Sequence, residues 1–494
     1  MNDNFRLLDP VRQVVVVKAL RAILPADAVL YEEEDTRPYE CDGLSAYRAL
    51  PLVVALPENE DDVCRILRAC SAIKVPVVAR GAGTGLSGGA LPHGKGVLLS
   101  LAKMKRILAL DPVARTARVQ PGVRNLAISE AAAAYGLYYA PDPSSQIACT
   151  IGGNVAENSG GVHCLKYGLT VHNVLRVRGC TVEGDVVEFG NEALDAPGYD
   201  LLALVTGSEG MLAVATEITV RLVPKPVTAR VILAAFDDVE KAGNAAAAVI
   251  AAGIIPAGLE MMDQAATRAV EEYVHAGYDL EAAALLLCES DGTPEEVEEE
   301  IARMTAVLKR SGAYDFRISE DEAERLKFWS GRKAAFSAVG RISPDYYCMD
   351  GTIPRKRLGE VLVFIAAMEK KYGLRCPNVF HAGDGNLHPL ILFDANDPDE
   401  FRRTEAFAGE VLEKCIEVGG TITGEHGVGI EKINQMCVQF TPGELELFRA
   451  LKRAFDKEGL LNPEKNIPSL RRCAEFGRMH VKGARLPHPE LPRF

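Results

Sequence analysis

The twelve cysteines include no C-x-x-C pair, and the amino terminus has no basic segment leading into an apolar run. The first absence argues against a zinc ribbon, an iron–sulfur cluster held by this chain, or a disulfide framework; the cysteines read as small core hydrophobes of a reduced cytoplasm. The second leaves no secretory signal in Met1 to Arg6. Long apolar runs are missing too. The most apolar stretch, Ala242 to Leu259, is broken by Asn244, Gly253 and Pro256. It reads as a buried helix behind Asp237-Asp238, not as a membrane span of about 20 strongly apolar residues. Positive charge is short: 55 basic against 68 acidic side chains, 55 − 68 = −13. Such a balance excludes a grip on nucleic acid or anionic membrane by charge alone. Any redox centre must be an added cofactor, and any iron–sulfur centre must come from a partner.

What is present is a soluble-type composition over 494 residues, enough for two large domains or three smaller ones, with 44 glycines. Residues 1–47 read as a mostly helical lead-in. Residues 48–226 alternate short β-rich runs with glycine loops, interrupted by helices at Glu60 to Ile73, with Asn59 as N-cap, and Asn125 to Tyr135. Pro224-Lys225-Pro226 marks a linker. Residues 227–468 alternate strands with longer helices such as Asp237 to Ala252 and Pro294 to Arg310, which predicts an α+β domain with an antiparallel sheet. Residues 469–494, with Arg471, Arg472, Lys482 and Arg485, read as a solvated tail.

The strongest local pattern is Arg80-Gly81-Ala82-Gly83-Thr84-Gly85-Leu86-Ser87-Gly88-Gly89, where a strand enters a loop suited to a diphosphate. Gly83 to Gly88 spells G-x-G-x-x-G, but that fingerprint needs a following helix. Gly89, Pro92, Gly94 and Gly96 lead to another strand instead, so the Rossmann reading is rejected. Gly89 to Gly96 approaches a phosphate-binding P-loop, yet Gly96 stands where Ser or Thr belongs. Two more blocks follow: Pro141-Asp142-Pro143-Ser144-Ser145 continuing through Gly152, Asn154, Asn158 and Gly161, and Gly207-Ser208-Glu209-Gly210. Three blocks in one β-rich region predict a single extended ligand of adenine-dinucleotide size, with Ile218 on the strand that follows.

Histidines His381, His388 and His426 lie in polar glycine motifs, His381-Ala382-Gly383-Asp384-Gly385-Asn386-Leu387-His388 and Gly424-Glu425-His426-Gly427-Val428-Gly429. Gly383-Asp384-Gly385 forbids a helix, so a strand–turn–strand must bring the first two imidazoles together. With Glu425 they make a His₂-carboxylate set, the ligand types of a divalent site with open positions. Trp329, the only tryptophan, reads as core.

These motifs resemble the type 4 FAD-binding oxidoreductases of the vanillyl-alcohol oxidase/PCMH superfamily. That group includes glycolate oxidase catalytic subunits, D-lactate dehydrogenases and D-2-hydroxyglutarate dehydrogenases. The resemblance covers about residues 48–468. It implies an α+β fold with a PCMH-type FAD-binding domain of two subdomains and a ferredoxin-like cap. Thr84 stands where some relatives link flavin through a His, which implies non-covalent FAD. It also implies a divalent metal, zinc first, on His381, His388 and Glu425, with His426 as general base and Arg332 on the substrate carboxylate. Relatives acting on D-2-hydroxyglutarate carry a Lys near Cys348 and an Asn near Leu390, so their replacement favours a short monocarboxylate. Leu461 to Pro468 matches the closing motif that returns to the flavin. The implied partners are an iron–sulfur subunit and a second flavoprotein-like subunit. The implied location is the cytoplasm, peripheral at the inner membrane through those partners. The competing readings are a D-2-hydroxyglutarate-type dehydrogenase, a non-redox alkyl-glycerone-phosphate-synthase-like flavoenzyme, and a non-catalytic FAD-binding subunit.

Overall fold

Short β-branched and leucine-rich runs, each closed by a glycine or proline turn, build the N-terminal part of the chain. The computed structural model describes residues 9–193 and 198–469. Strands β1 (Val29–Leu30), β2 (Val53–Ala55), β3 (Val77–Arg80) and β4 (Val97–Ser100) form one sheet in the order β1-β2-β4-β3, parallel except for β1. The helix Glu60–Ala72 crosses from β2 to β3. Asn59 accepts from the Asp62 amide at 3.0 Å, a cap contributing about 1 kcal/mol, and the helix buries Val63, Ile66 and Leu67 against the sheet. The lead-in is not wholly helical: helix Pro10–Arg21 is followed by β1, which is too short to reveal a strand period in the sequence.

A second sheet follows: β5 (Ile107–Asp111), β6 (Thr116–Val119), β7 (Val174–Cys180), β8 (Val186–Gly190) and β9 (Val214–Arg221), antiparallel in the order β5-β6-β9-β7-β8. Cys180 at the end of β7 meets Cys64 of the helix on the first sheet in a disulfide. This corrects the reading of the cysteines as core hydrophobes alone. The partners are 116 residues apart, and only the packing of the two lobes brings them together. Among the described residues eight other cysteines are free, seven of them buried.

The third sheet contains β10 (Thr228–Phe236), β11 (Gly258–Asp263), β12 (Ala284–Gly292) and β13 (Asp315–Ile318). A separate ladder pairs β14 (Asp345–Cys348) with the later β16. Strand β15 (Val379–Phe380) completes the third sheet as β13-β10-β12-β11-β15, all antiparallel; β16 is Leu390–Phe393. Ile232, Ala234 and Phe236 of β10 enter one apolar cluster, while Val231, Leu233 and Ala235 enter another on the opposite face. Both faces are covered, which is why these strands read as unbroken apolar runs without alternation. Helices Val239–Ala251, capped by Asp238, and Pro294–Arg310, with a Thr293/Glu296 capping box, cover one face. Among the described residues no helix is long and apolar enough to cross a membrane.

The chain then returns. The Val77 amide donates to Leu460, Asn462 donates its backbone N–H to Val77, and the Lys465 ammonium donates to Gly89 O at 2.9 Å. The closing motif therefore packs beneath the first glycine loop, as expected. The tail residues Arg471, Arg472, Lys482 and Arg485 lie outside the described residues.

A charged clamp joins the second lobe to the third sheet. His163 Nδ1 meets Asp142 Oδ2 at 2.7 Å and its Nε2 meets Glu289 Oε1 at 3.1 Å; Arg325 and the Trp329 indole N–H also donate to Glu289. Trp329 is core, as expected, with this polar tether. Burial alone would lower the His163 pKa, but Asp142 and Glu289 outweigh it and hold the value well above the usual imidazole range. Burial would raise Glu289, yet His163 and Arg325 bring it down to about 2. The His163 contribution to stability is therefore complete below about pH 6.5 and fades as pH rises through its raised value; the Glu289 contribution is complete above about pH 4.3 and fades as pH falls towards 2. His163→Gln should cost about 3 kcal/mol at pH 6, where both groups are charged. Urea unfolding of the two proteins at pH 6 checks this, and an unchanged midpoint would show the clamp contributes nothing.

Candidate functional site

Between the three sheets runs a cavity of about 490 Å³. Of the residues expected to touch the cofactor, Arg80, Gly81, Ala82, Gly83, Thr84, Gly85, Ser145, Gly152, Asn154, Glu209 and Gly210 line it. Val177 and Ala215 form part of its wall, and Glu425, His388 and His426 also open onto it. Gly83 has φ +73°, and a Cβ there would lie 2.2 Å from the Arg80 guanidinium, so only glycine lets the loop fold back on Arg80. This elongated, glycine-walled space fits an extended dinucleotide.

Seven expected contacts sit behind the wall instead, each because its side chain or backbone is used to hold the loops. Ser87 Oγ donates to His426 O at 2.9 Å, and Gly88 packs under Ile430. Pro141 O accepts from Asn125, and Asp142 belongs to the His163 clamp. Asn158 ends the helix Ile151–Glu157 in the left-handed conformation and accepts from the Val171 amide. Gly161 lies against Asp142, and Ile218 is fully buried in β9.

The tight turn after β15, with an antiparallel bridge between His381 and Asn386, returns the chain so that the His381 and His388 rings come within 4.9 Å, edge to face. His388 Nε2 lies 2.9 Å and His381 Nε2 3.4 Å from Glu425 Oε1. The outer nitrogens are engaged: His381 Nδ1 with Glu260 Oε1 at 2.8 Å and His388 Nδ1 with Met349 O at 3.1 Å. With a cation in place, a proton on each Nδ1 would leave both Nε2 lone pairs free to ligate it, the arrangement that ligating imidazoles need. The donor set fits a divalent cation. A second set, Cys348 with His388 and His426, overlaps it. Burial pushes the Cys348 thiol up, and its S–H donates to Met349 O, so the carboxylate set is the better match for a cation.

His426 stacks on His388 with ring centres 5.0 Å apart, and its buried Nδ1 has no hydrogen-bond partner. Burial pushes its pKa down to about 4 against the opposing pull of Asp350. The ring is neutral at pH 7 and can accept a proton. Arg332 is buried and does not line the cavity; its Nε donates to Glu260 Oε2 at 2.7 Å, and its Nη2 has no partner.

Three acids were missed in the sequence because single carboxylates within apolar or glycine-rich segments carry no pattern. Glu260, alone in Leu259-Glu260-Met261, bridges His381 and Arg332. Asp350 accepts from the amides of Gly424, Glu425 and His426 at 2.9–3.1 Å. Glu157 lines the cavity; burial, then Glu209, raises its pKa well above the usual carboxyl range.

Two family models match. The FAD binding domain covers residues 51–190, and the C-terminal domain of FAD linked oxidases covers residues 225–466. The protein is 62% identical over 487 residues to glycolate oxidase subunit GlcD of Escherichia coli strain K12, spanning 99% of this chain and 98% of that one. It is 40% identical over 428 residues to glycolate oxidase subunit GlcD of Bacillus subtilis, spanning 86% and 91%. It is 30% identical over 460 residues to D-lactate dehydrogenase of Anaerostipes hadrus, spanning 91% and 96%. In fold it is similar to p-cresol methylhydroxylase, with TM-score 0.79, 18% identity and coverage of 94% and 98%. It is also similar to alkyldihydroxyacetonephosphate synthase, with TM-score 0.72, 17% identity and coverage of 91% and 85%.

Metal analysis of purified protein separates the two overlapping donor sets. Bound divalent metal should fall to background in His388→Ala and Glu425→Gln and stay at the wild-type level in Cys348→Ser. Glu260→Gln should weaken metal affinity about 10- to 100-fold by releasing the His381 ring. Metal lost from Cys348→Ser would reassign the ligands.

Proposed function

This chain belongs to the FAD-linked oxidases, and from that membership we propose that it oxidises a short 2-hydroxy monocarboxylate, glycolate to glyoxylate or D-lactate to pyruvate. One observation carries the proposal. His388 and Glu425 of the His381–His388–Glu425 set, and the neutral His426, open onto the same cavity that the glycine loops wall.

FAD held along the Gly81–Gly85 loop would supply the acceptor for the substrate C2 hydride, and a divalent ion held by His381, His388 and Glu425 would supply Lewis acidity at the substrate hydroxyl. His426 accepts the hydroxyl proton, its free Nδ1 and low pKa keeping it ready as a base. Glu260 and the Met349 carbonyl hold the ligand rings in orientation. Arg332 lies outside the cavity, and its part is to hold Glu260 through Nε and, through Glu260, the His381 ring.

Substrate length is limited where a distal carboxylate would need a cation. Cys348 and Leu390 face each other across the β14–β16 ladder, both buried, and neither can supply charge. Among the described residues no cysteine cluster stands ready to carry electrons onward, so they would leave through a partner protein. Relatives named as subunits support a partner protein; the partners proposed are iron–sulfur and flavoprotein-like subunits, with attachment to the inner membrane only through them.

Anaerobic titration of the FAD-loaded protein tests the reading. Glycolate or D-lactate should bleach the flavin band, with kcat/KM at least about tenfold above that for D-2-hydroxyglutarate. His426→Asn should keep the flavin spectrum and slow bleaching by about 10²- to 10⁴-fold. If dithionite bleaches the flavin and neither acid does, the proposal fails.

A further inference from the structure

Strand β5 ends the second sheet with one long side unpaired among the described residues, and it is exposed on both faces. Ile107 and Leu108 are 38% and 37% exposed, and Val113 in the β5–β6 turn is 93% exposed. An edge strand of this kind offers a row of free backbone N–H and C=O groups and is normally blunted or covered. Its charge also departs from the rest of the chain. Residues 103–124 carry Lys103, Lys105, Arg106, Arg115, Arg118 and Arg124, all exposed, against the single acid Asp111, in a protein of net charge −13. Lys103 and Arg124 meet Glu58 and Glu130 in exposed pairs, and Arg118 meets the half-buried Glu217. Lys105, Arg106 and Arg115 have no carboxylate partner among the described residues. Leu101 and Pro121, which flank this hairpin, line the cofactor cavity, so the cationic edge is continuous with the cavity wall.

We propose that β5 and its turn dock an acidic partner protein, which adds an extended, Asp/Glu-bearing segment along the free edge. The inference rests on the reading of this chain as a subunit that passes electrons to a partner. Charge selects the occupant. The C-terminal residues 470–494 hold six Lys and Arg against two Glu and would be repelled. A second copy paired edge to edge would bring two cationic strands together. An anionic membrane would satisfy the charges, but it cannot use the ladder of backbone groups, which an added strand completes. Cations at the rim then speed association and select the partner by sign, while Ile107 and Leu108 supply the apolar contact.

The test uses the full chain in its own cells, with p-benzoylphenylalanine in place of Leu108, or of exposed Leu447 as a control site. Irradiation should yield an adduct at position 108 and not at 447. Mass spectrometry should identify a single other protein that co-purifies in fixed stoichiometry and is joined through a peptide rich in Asp and Glu. The triple substitution Lys105→Glu, Arg106→Glu, Arg115→Glu should weaken that complex at least about tenfold and flatten its salt dependence. It should leave flavin content and bleaching by glycolate unchanged, because none of the three residues lines the cavity. An adduct with lipid, binding of the purified chain to phosphatidylglycerol vesicles that the triple variant loses, an adduct with a second copy, or an intact complex in the triple variant would each overturn the inference. Failure of the wild-type flavin to bleach would instead strike the proposed function, so the two failures are distinguishable.

Discussion

Two buried carboxylates from opposite lobes hold the one segment on which the chemistry depends. The loop from Thr423 to Gly429 has no helix or strand to satisfy its amides, and unpaired buried N–H groups are costly. Asp350, just beyond β14, accepts from Gly424, Glu425 and His426 at 3.0, 3.1 and 2.9 Å. Glu209, from the N-terminal part, accepts from Val428 and Gly429 at 2.7 and 2.8 Å. Glu425 and His426 therefore keep their positions only while both lobes stay docked. Gly427 fits between them because its φ is +80° and a Cβ would lie 2.2 Å from Glu157. The lobes cannot drift apart without releasing the loop, and the Asp142–His163–Glu289 clamp resists that drift from another side.

Much of this was legible in the sequence, for physical reasons that can be named. Glycine is required where a loop approaches itself or a ligand, so Gly83 and the blocks after it marked the cavity before any coordinates did. Three histidines in glycine turns marked the ligand cluster, since the G-D-G spacing left a turn as the only way to juxtapose His381 and His388. Helices with an N-cap or capping box, Glu60–Ala72 and Pro294–Arg310, began where their caps placed them. What stayed hidden was long-range pairing. Cys64 and Cys180 have no local spacing that signals a bond, and Asp350, Glu260 and Glu157 are ordinary acids until the fold buries them. The seven residues expected at the cofactor but found behind the wall show the same limit. Glycine-rich sequence marks a tight region, and it does not separate the residues that touch a ligand from those that shape the loop touching it.

Charge around the cavity is the remaining constraint, and it runs against the chain's overall sign. Glu157, Glu209, Glu260, Asp350 and Glu425 all converge near the substrate end, a density of acid that a buried region tolerates only if each group is neutralised or paired. Burial and Glu209 hold the Glu157 pKa well above the usual carboxyl range; Asp350 is held low by His426 and Lys432 against its burial; Glu260 sits between Arg332 and His381. Glu425 is the exception, because its compensation comes from the two imidazoles that also form the donor set. A cation entering that set must take over the compensation and release any proton that His381 or His388 holds at Nε2. Metal uptake is therefore linked to proton release and weakens as pH falls. The same replacement turns an acid-rich pocket into one that attracts an anion, so an acidic protein can receive a carboxylate substrate at a site whose own residues would otherwise repel it.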